Sequence, residues 1–438
     1  MQNALKFSGR ANEGAVLGKV ISAYPELKQK IKKLKEEVLK IVRDVNSLSL
    51  EEQKKLFEEV KQYLPEKKSE KKKTLLPLPK TKKLVMRFEP SPSGPLHIGH
   101  AYVLSLNSEY CRMYNGKLIL RIGDTNPENI YKPSYRMIEE DARWLTKNNI
   151  AEVIIQSERL EIYYNYMEKL LRIGKAYICT CPNEEFKKLI AKRQPCPCRN
   201  LPKEEQFERW KMMFCSYKQG EAVARIKTDI GHKNPAMRDW PAFRINDTPH
   251  PRQNRKYRVW PLMNMAVVVD DIELGVTHVI RAKDHADNAK RQEYVYRYLK
   301  KKVPYSLFVG RINFIGFDVS TTNTRKLIES GYYSGWDDIR LPFLPALRRR
   351  GYQPDAFVRY AVDVGITLND KTVSMEEFFK TINAFNRDII DPYAPRYFFV
   401  ENPVLIKIKE APCLNLELDL HPDNKKGGRF FNTHEEFY

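Results

Sequence analysis

Twice between Lys83 and Leu145 the sequence runs a short apolar strand into a longer helix. The pairs are Lys83 to Phe88 with Leu96 to Tyr114, and Leu118 to Ile122 with Ser134 to Leu145. Strands joined through crossover helices pair in parallel, and the helices must cover the sheet faces. The order therefore predicts an α/β fold with a doubly wound parallel sheet. The rhythm breaks from about 176 to 258, where most cysteines lie, which reads as an insertion. A β-branched run from Val259 to Val269, then THVIR (277–281) and a helix over Asp287 to Leu299, read as the sheet resuming.

The flanks differ in character. Behind Pro25, residues Leu27, Ile31, Leu34, Val38, Ile41 and Val45 recur at helical spacing, and Asn46 ends that helix. Ser49 and Glu52 form a capping box for a second helix carrying Leu56, Phe57, Val60 and Leu64. The charged stretch Glu66 to Lys73 and the segment TLLPLPK then read as a linker, with a boundary near 80. Residues 320–400 read as mostly helical, with basic turns such as ALRRRG (346–351). At the end, Val404, Ile406 and Ile408 alternate with their neighbours, as do Leu414, Leu416, Leu418 and Leu420. Two strands make no stable sheet alone, so this last piece reads as incomplete.

The formal charge of +21 points to a polyanionic partner, nucleic acid before an anionic membrane. No apolar run approaches the ~18–20 residues that span a bilayer, and MQNALKFSGRANEG has no signal-peptide core. The chain thus reads as cytoplasmic, with no membrane partner. Four of its seven cysteines form two C-x-C pairs, Cys179 with Cys181 and Cys196 with Cys198. Four thiolates make a tetrahedral set suited to a structural Zn2+, with no open position for a substrate water.

The segment RFEPSPSGPLHIGH, Arg87 to His100, carries the chemistry. A strand ends at Phe88, a Pro/Ser/Gly turn follows, and a helix begins near Leu96, with His97 and His100 on one face of its first turn. A helix N-terminus suits a phosphate, and two imidazoles there can donate to oxygens that gain charge as pyrophosphate leaves. Gly94 and Gly99 remove side chains where a nucleotide approaches the backbone.

This segment resembles the HIGH signature of class I aminoacyl-tRNA synthetases, and RFxPxPSGPLHIGHA is similar to the archaeal-type glutamyl-tRNA synthetases, close relatives of the glutaminyl enzymes. NALKFSGRANEGAVLGKV, RIGDTNPENIY, MRDWPAFRI, VDDIELGVTHVIRAKDH, SGWDDIRLP and NRDIIDPYAPRYFFV resemble further blocks of that family. The resemblance implies that L-glutamate and ATP (with Mg2+) give glutamyl-adenylate. The glutamyl group then passes to the terminal ribose of tRNA(Glu), with tRNA(Gln) left open as a second acceptor.

It implies a helical N-terminal domain with a Lys-rich linker (1–80) and a class I Rossmann domain in two halves (81–175 and 259–318). Between them lies an acceptor-stem insertion with the zinc knuckle (176–258). A KMSKS-like loop and helical stem-contact region follow (319–400), and then an incomplete start of the anticodon-binding β-barrel (401–438). The rest of that barrel is expected from a second polypeptide. Catalytic positions are His97, His100, Arg325 and Lys326. Pro92, Gly94, His97, Gly99, His100, Ser320 and Lys326 would bind ATP. Arg87, Ser91, Asp124, Met263 and Arg281 would bind glutamate, the two arginines gripping its side chain. Arginine at 281 offers glutamine nothing equivalent. Arg252, Arg255, Arg258, Arg348, Arg349 and Arg350 would contact tRNA.

Three positions depart from the family pattern. Gly123 stands where an acid holds the substrate ammonium, Met263 where a tyrosine meets the substrate, and Asn323, in VSTTNTRK (319–326), where a lysine reaches the ATP phosphates. Two alternatives stay open: a glutaminyl-tRNA synthetase, which Arg281 disfavours, and an activation-dead relative that binds tRNA or scaffolds a complex.

Overall fold

The structure, a computed structural model, describes the chain apart from residues 8, 61–73, 80–82, 317, 398, 405, 408–411, 422–427, 433–435 and 438. Leu64, the Glu66–Lys73 linker and Ile408 lie outside the described residues. The chain forms two compact units, Met1–Lys73 and Thr74–Tyr438.

The first unit holds α1 (Gln2–Lys6), α2 (Glu13–Ala23), α3 (Ile31–Asn46) and α4 (Leu50–Val60). The apolar stripe on α3 is shifted from the one expected: Val38, Val42 and Val45 are buried, whereas Ile31 and Ile41 are exposed. Steps of four and three residues keep those valines on one face of a 3.6-residue helix, and Ile41 falls off it. The capping box forms, with Glu52 accepting from Ser49 N at 2.8 Å and Ser49 Oγ accepting from Glu52 N at 3.3 Å. The buried Gln53 donates to the carbonyls of Gly9 and Val45, both at 2.8 Å, tying α4 to α3 and the preceding turn.

The second unit opens with β1 (Val85–Phe88), α5 (Ile98–Met113), β2 (Lys117–Ile122), α6 (Ser134–Thr146), β3 (Glu152–Ile155) and α7 (Leu160–Arg172). Strands β1, β2 and β3 pair in parallel. An antiparallel sheet follows, made of β4 (Ala176–Cys179), β5 (Val223–Ile226), β6 (Pro241–Ile245) and β7 (Val259–Pro261), with α8 (Asn183–Ala191) and α9 (Lys203–Cys215) between its first two strands. Then come α10 (Met263–Glu273), β8 (His278–Ala282), α11 (Ala286–Tyr298) and β9 (Tyr305–Val309), with β8 and β9 again parallel. Thr277 N donates to Val85 O at 2.9 Å, which sets β8 beside β1. The strand order is thus β3-β2-β1-β8-β9, a Rossmann-type doubly wound arrangement whose switch point lies between β1 and β8.

The run from Val259 to Val269 is not one strand. Pro261 closes β7, which belongs to the antiparallel sheet, and the rest is helix α10. Met265, Ala266, Val267, Val268 and Val269 are all buried. A helix walled by protein all round is apolar all round, so β-branched residues there mark burial rather than a strand. The parallel sheet therefore resumes only at β8.

Beyond β9 lie β10 (Ile312–Ile315), α12 (Thr321–Glu329), α13 (Leu344–Arg349), α14 (Pro354–Val364), β11 (Lys371–Ser374) and α15 (Met375–Ile390). β10 pairs in parallel with β11, and the Tyr102 hydroxyl on α5 donates to Gly365 O at 2.6 Å, tying α14 to the core. At the end, β12 (Ile406–Lys407) pairs with β15 (Glu436–Phe437), and β13 (Asn415–Asp419) with β14 (Gly428–Asn432), both antiparallel. Leu414, Leu416 and Leu418 are exposed. Among the described residues no helix is long and apolar enough to cross a membrane.

Candidate active site

A cavity of about 590 Å³ opens at the C-terminal ends of β1, β2, β8 and β9. Parallel strands aim their ends at the switch point, so residues distant in sequence converge there. His97, Gly99 and His100 line one wall, Arg87, Glu89, Gly123 and Gln156 another, and Met263, Arg281 and Gln292 a third.

His97 is the N-cap of α5 and His100 its third residue, so the helix starts two residues after the expected Leu96. The rings stack at 3.8 Å between centroids. His97 Nδ1 accepts from the backbone of Gly99 at 3.1 Å and of His100 at 3.4 Å, while His100 Nδ1 accepts from His97 N at 3.4 Å. Both neutral rings therefore carry their proton on Nε2. Burial pushes His97 well below the usual imidazole range, helped by its neighbour, and pushes His100 down to about 4. Both are uncharged donors near neutral pH.

Beneath the cavity lies a charged network. Arg121, wholly buried on β2, donates to Asp271 at 2.8 Å and Glu89 at 2.6 Å, and approaches Asp270 at 3.9 Å. Arg87 Nε reaches Asp271 at 3.3 Å and its Nη1 reaches Glu89 at 3.5 Å. Arg159 donates to Asp270 at 2.7 Å. Burial alone would raise Asp271, but Arg121 and Arg87 outweigh it and hold its carboxyl below the ordinary range. Arg281 is different. Its Nη1 donates to Gln292 at 2.6 Å, its buried Nε has no partner, and among the described residues no carboxylate lies within ion-pair distance. Burial, and then the charge of Arg87, lower its affinity for its proton.

Ser91 lies at the cavity wall and Met263, largely exposed, at its mouth. Asp124 does not belong there. It is buried behind the wall, accepting from Tyr135 at 2.6 Å and Ser157 N at 2.7 Å, with His250 donating to its carbonyl at 2.9 Å. Successive side chains at a strand end leave on opposite sides, so Gly123 faces the cavity and Asp124 the core.

Gly94 does not line the cavity either. A Cβ there would lie 2.9 Å from Thr321 Cγ2 and 3.2 Å from Trp336, so its missing side chain admits α12 and the tryptophan rather than a ligand. Pro92 is buried in the same turn. The expected loop 319–326 is the start of α12, capped by Ser320 and fastened by Thr321 Oγ1 donating to Ser93 Oγ at 3.0 Å. Asn323 and Lys326 are exposed, and Arg325 lies over the Tyr131 ring at 5.5 Å. Ser320, Arg325 and Lys326 thus stand outside the cavity wall. Glu89, Gln156 and Gln292 are lining residues that sequence reasoning missed: Glu89 stands inside RFEPSPSGPLHIGH at a position given no role, and Gln156 and Gln292 are lone polar residues in no recognisable spacing.

The four cysteines come together, their sulfur atoms all within 4.8 Å of one another. Cys179 and Cys196 are 3.8 Å apart, Cys181 and Cys198 3.7 Å. Four sulfurs at zinc's ~2.3 Å bond length stand about 3.8 Å apart in a tetrahedron, so the cluster is compatible with zinc. Arg209 Nη1 lies 3.2 Å from Cys198 Sγ, and Gln206 braces the knuckle by donating to Cys198 O at 2.7 Å. Burial raises the Cys198 thiol, but Thr180, Cys181 and Arg209 together bring it below its ordinary value.

Of the basic candidates, Arg252 pairs with Glu158, Arg258 with Asp247 at 2.9 Å and Arg349 with Asp337 at 3.3 Å. Arg350 stacks over Phe379 at 4.3 Å, while Arg255 and Arg348 are exposed.

Comparisons with known proteins agree with this fold. The family described as "tRNA synthetases class I (E and Q), catalytic domain" matches residues 83–392. A glutamate–tRNA ligase of Pyrococcus furiosus is 48% identical over 97% of this chain and 75% of its own length. That of Methanothermobacter thermautotrophicus is 45% identical over 100% of this chain and 78% of its own. Both relatives carry their remaining length in the same polypeptide, so the expected second polypeptide is without support. Among solved structures, a glutamate tRNA ligase from Elizabethkingia meningosepticum shares the fold, with a TM-score of 0.50 at 19% identity over 72% of this chain and 70% of that one. The chain belongs to the class I tRNA synthetases (E and Q).

Proposed function

We propose that the chain joins L-glutamate to tRNA(Glu) in the cytoplasm at the expense of ATP. One observation carries the choice of amino acid. The buried network holds four guanidinium groups (Arg87, Arg121, Arg159 and Arg281) against three carboxylates (Glu89, Asp270 and Asp271), an excess of one buried positive charge, and Arg281, the guanidinium without a carboxylate partner among the described residues, lines the cavity. Glutamate, with two carboxylates and one ammonium, carries the single negative charge that balances it. Glutamine is neutral and leaves Arg281 uncompensated in a desolvated site.

A carboxylate oxygen of glutamate attacks the α-phosphorus of ATP and expels pyrophosphate, forming glutamyl-adenylate. A hydroxyl of the terminal ribose then attacks the acyl carbon and AMP leaves. Mg2+ enters with ATP. The Nε2–H groups of His97 and His100 donate to phosphate oxygens, and as neutral donors they do so without a proton transfer. Arg87 and Arg281 hold the side-chain carboxylate, and positioning supplies most of the rate. Arg325 and Lys326 reach ATP only with a shift of α12. Cys179, Cys181, Cys196 and Cys198 would hold Zn2+ as a closed structural site that fixes the insertion. Residues 176–258 and 319–400 grip the acceptor end and inner stem, with Arg252, Arg255, Arg258, Arg348, Arg349 and Arg350 toward the phosphates.

Pyrophosphate exchange with tRNA present tests this reading. Exchange is expected with glutamate and not with glutamine. Exchange with glutamine instead, or tight tRNA binding without exchange from either amino acid, overturns it.

A further inference from the structure

Gly123 leaves an opening in the cavity wall, and two oxygen atoms from other parts of the chain close round it. A Cβ built there would lie 3.5 Å from Gln156 Oε1 and 3.7 Å from Glu89 Oε1, both ordinary contact distances. The fold brings them together. Glu89 follows β1, Gly123 follows the adjacent strand β2, and Gly123 N donates to Pro90 O at 3.0 Å. The other polar atom of each side chain is already engaged. Glu89 Oε2 accepts from Arg121 at 2.6 Å and faces Arg87 at 3.5 Å, and Gln156 Nε2 donates to Asp270 at 2.8 Å. These bonds fix both groups with their Oε1 atoms toward Gly123. All three residues line the cavity, and among the described lining residues Glu89 is the sole carboxylate.

We infer that Glu89 and Gln156 bind the α-ammonium of the amino-acid substrate in the space that Gly123 leaves open. The inference rests on the glutamate reading above and assigns the group that the arginines cannot hold. An amino acid gripped by its side chain at Arg87 and Arg281 carries its ammonium into the same desolvated cavity. A cation there needs acceptors, and the rest of the charged wall repels it. A fixed carboxylate oxygen beside a fixed amide oxygen makes a charge-assisted site for it. The absence of a side chain at 123 then has a purpose, because even a methyl group would occupy the cradle.

The test is calorimetric titration of the tRNA-saturated chain with L-glutamate and with glutarate, which keeps both carboxylates and lacks the ammonium. Wild-type binding of L-glutamate comes first. If neither ligand binds, the glutamate reading itself falls and this inference with it. Glu89→Gln is expected to weaken L-glutamate by about 10- to 100-fold, as for loss of a charged hydrogen bond, and not to weaken glutarate, which meets one negative charge fewer. Glutarate binding also reports that the variant is folded. Gly123→Ala is expected to weaken L-glutamate as well, because its methyl group fills the cradle, and to leave glutarate unchanged. Equal loss of both ligands, or L-glutamate binding unchanged in either variant, overturns the inference.

Discussion

Replacing Arg281 by glutamine separates the cost of the charged pocket from its use. Arg281 is 8% exposed, has one hydrogen bond to Gln292 at 2.6 Å, and keeps a buried Nε with no acceptor. Leaving a buried donor unsatisfied costs about 1–3 kcal/mol, and the repulsion from Arg87 acts in the same direction. Arg281→Gln removes both penalties, so the substrate-free chain should become more stable by roughly that amount. Thermal midpoints move by about 2–4 °C per kcal/mol for domains of about 150–250 residues, which is measurable by calorimetry. Glutamate recognition should move the other way. Losing a two-pronged contact between charged groups costs about 2–4 kcal/mol, or roughly 30- to 1000-fold in kcat/KM for glutamate. Thermal unfolding with and without L-glutamate, beside tRNA-dependent pyrophosphate exchange, reads both effects. A variant that loses stability while keeping its KM for glutamate would show that Arg281 is an ordinary structural arginine.

Three further expectations follow from the same geometry. Cys198→Ser should abolish a zinc stoichiometry of one per chain, read by elemental analysis, and raise the KM for tRNA while sparing L-glutamate binding; a metal-free wild type contradicts the knuckle. Asp141 accepts from Leu96 N at 3.0 Å, and burial raises its carboxyl to about 7 against an ordinary 3.8, so the folded chain binds the extra proton between those values. Its contribution to stability therefore falls as pH rises from about 4 to 7, by on the order of 4 kcal/mol. Urea titrations of Asp141→Asn and wild type should differ by that slope, and parallel curves refute it. Finally, tRNA affinity should fall steeply with salt, and Arg255→Ala or Arg348→Ala should each lower the logarithmic salt slope by about 0.7–0.9; an unchanged slope removes that arginine from the interface.

The elements legible in the sequence were those whose signal is local. Strand–helix alternation announced β1, α5, β2 and α6, because periodicity and crossover geometry are properties of neighbouring residues. Ser49 and Glu52 announced their own cap. The cysteine pairs announced a metal-shaped cluster, because the knuckle needs only two short segments to meet. Val259 to Val269 misled, since the same β-branched residues serve a strand or a helix walled in on every side. VSTTNTRK misled too, since its helix is fixed by packing against the turn at Ser93 and Gly94, far away in the chain.

From the sequence alone came a parallel α/β fold, a histidine-bearing helix start, and two arginines able to hold a carboxylate. The first two follow from residue type and spacing, which the chain carries with it, and the role of the arginines from the family resemblance of the segments that hold them. Only the tertiary structure decided which charges remain unbalanced. Arg87, Arg121, Arg159 and Arg281 meet Glu89, Asp270 and Asp271 from six separate elements and turns, and burial leaves an excess of one positive charge in a desolvated place. It decided as well that Asp124 faces the core while Glu89 faces Gly123, because which way a side chain points at a strand end depends on what the neighbouring strand leaves open.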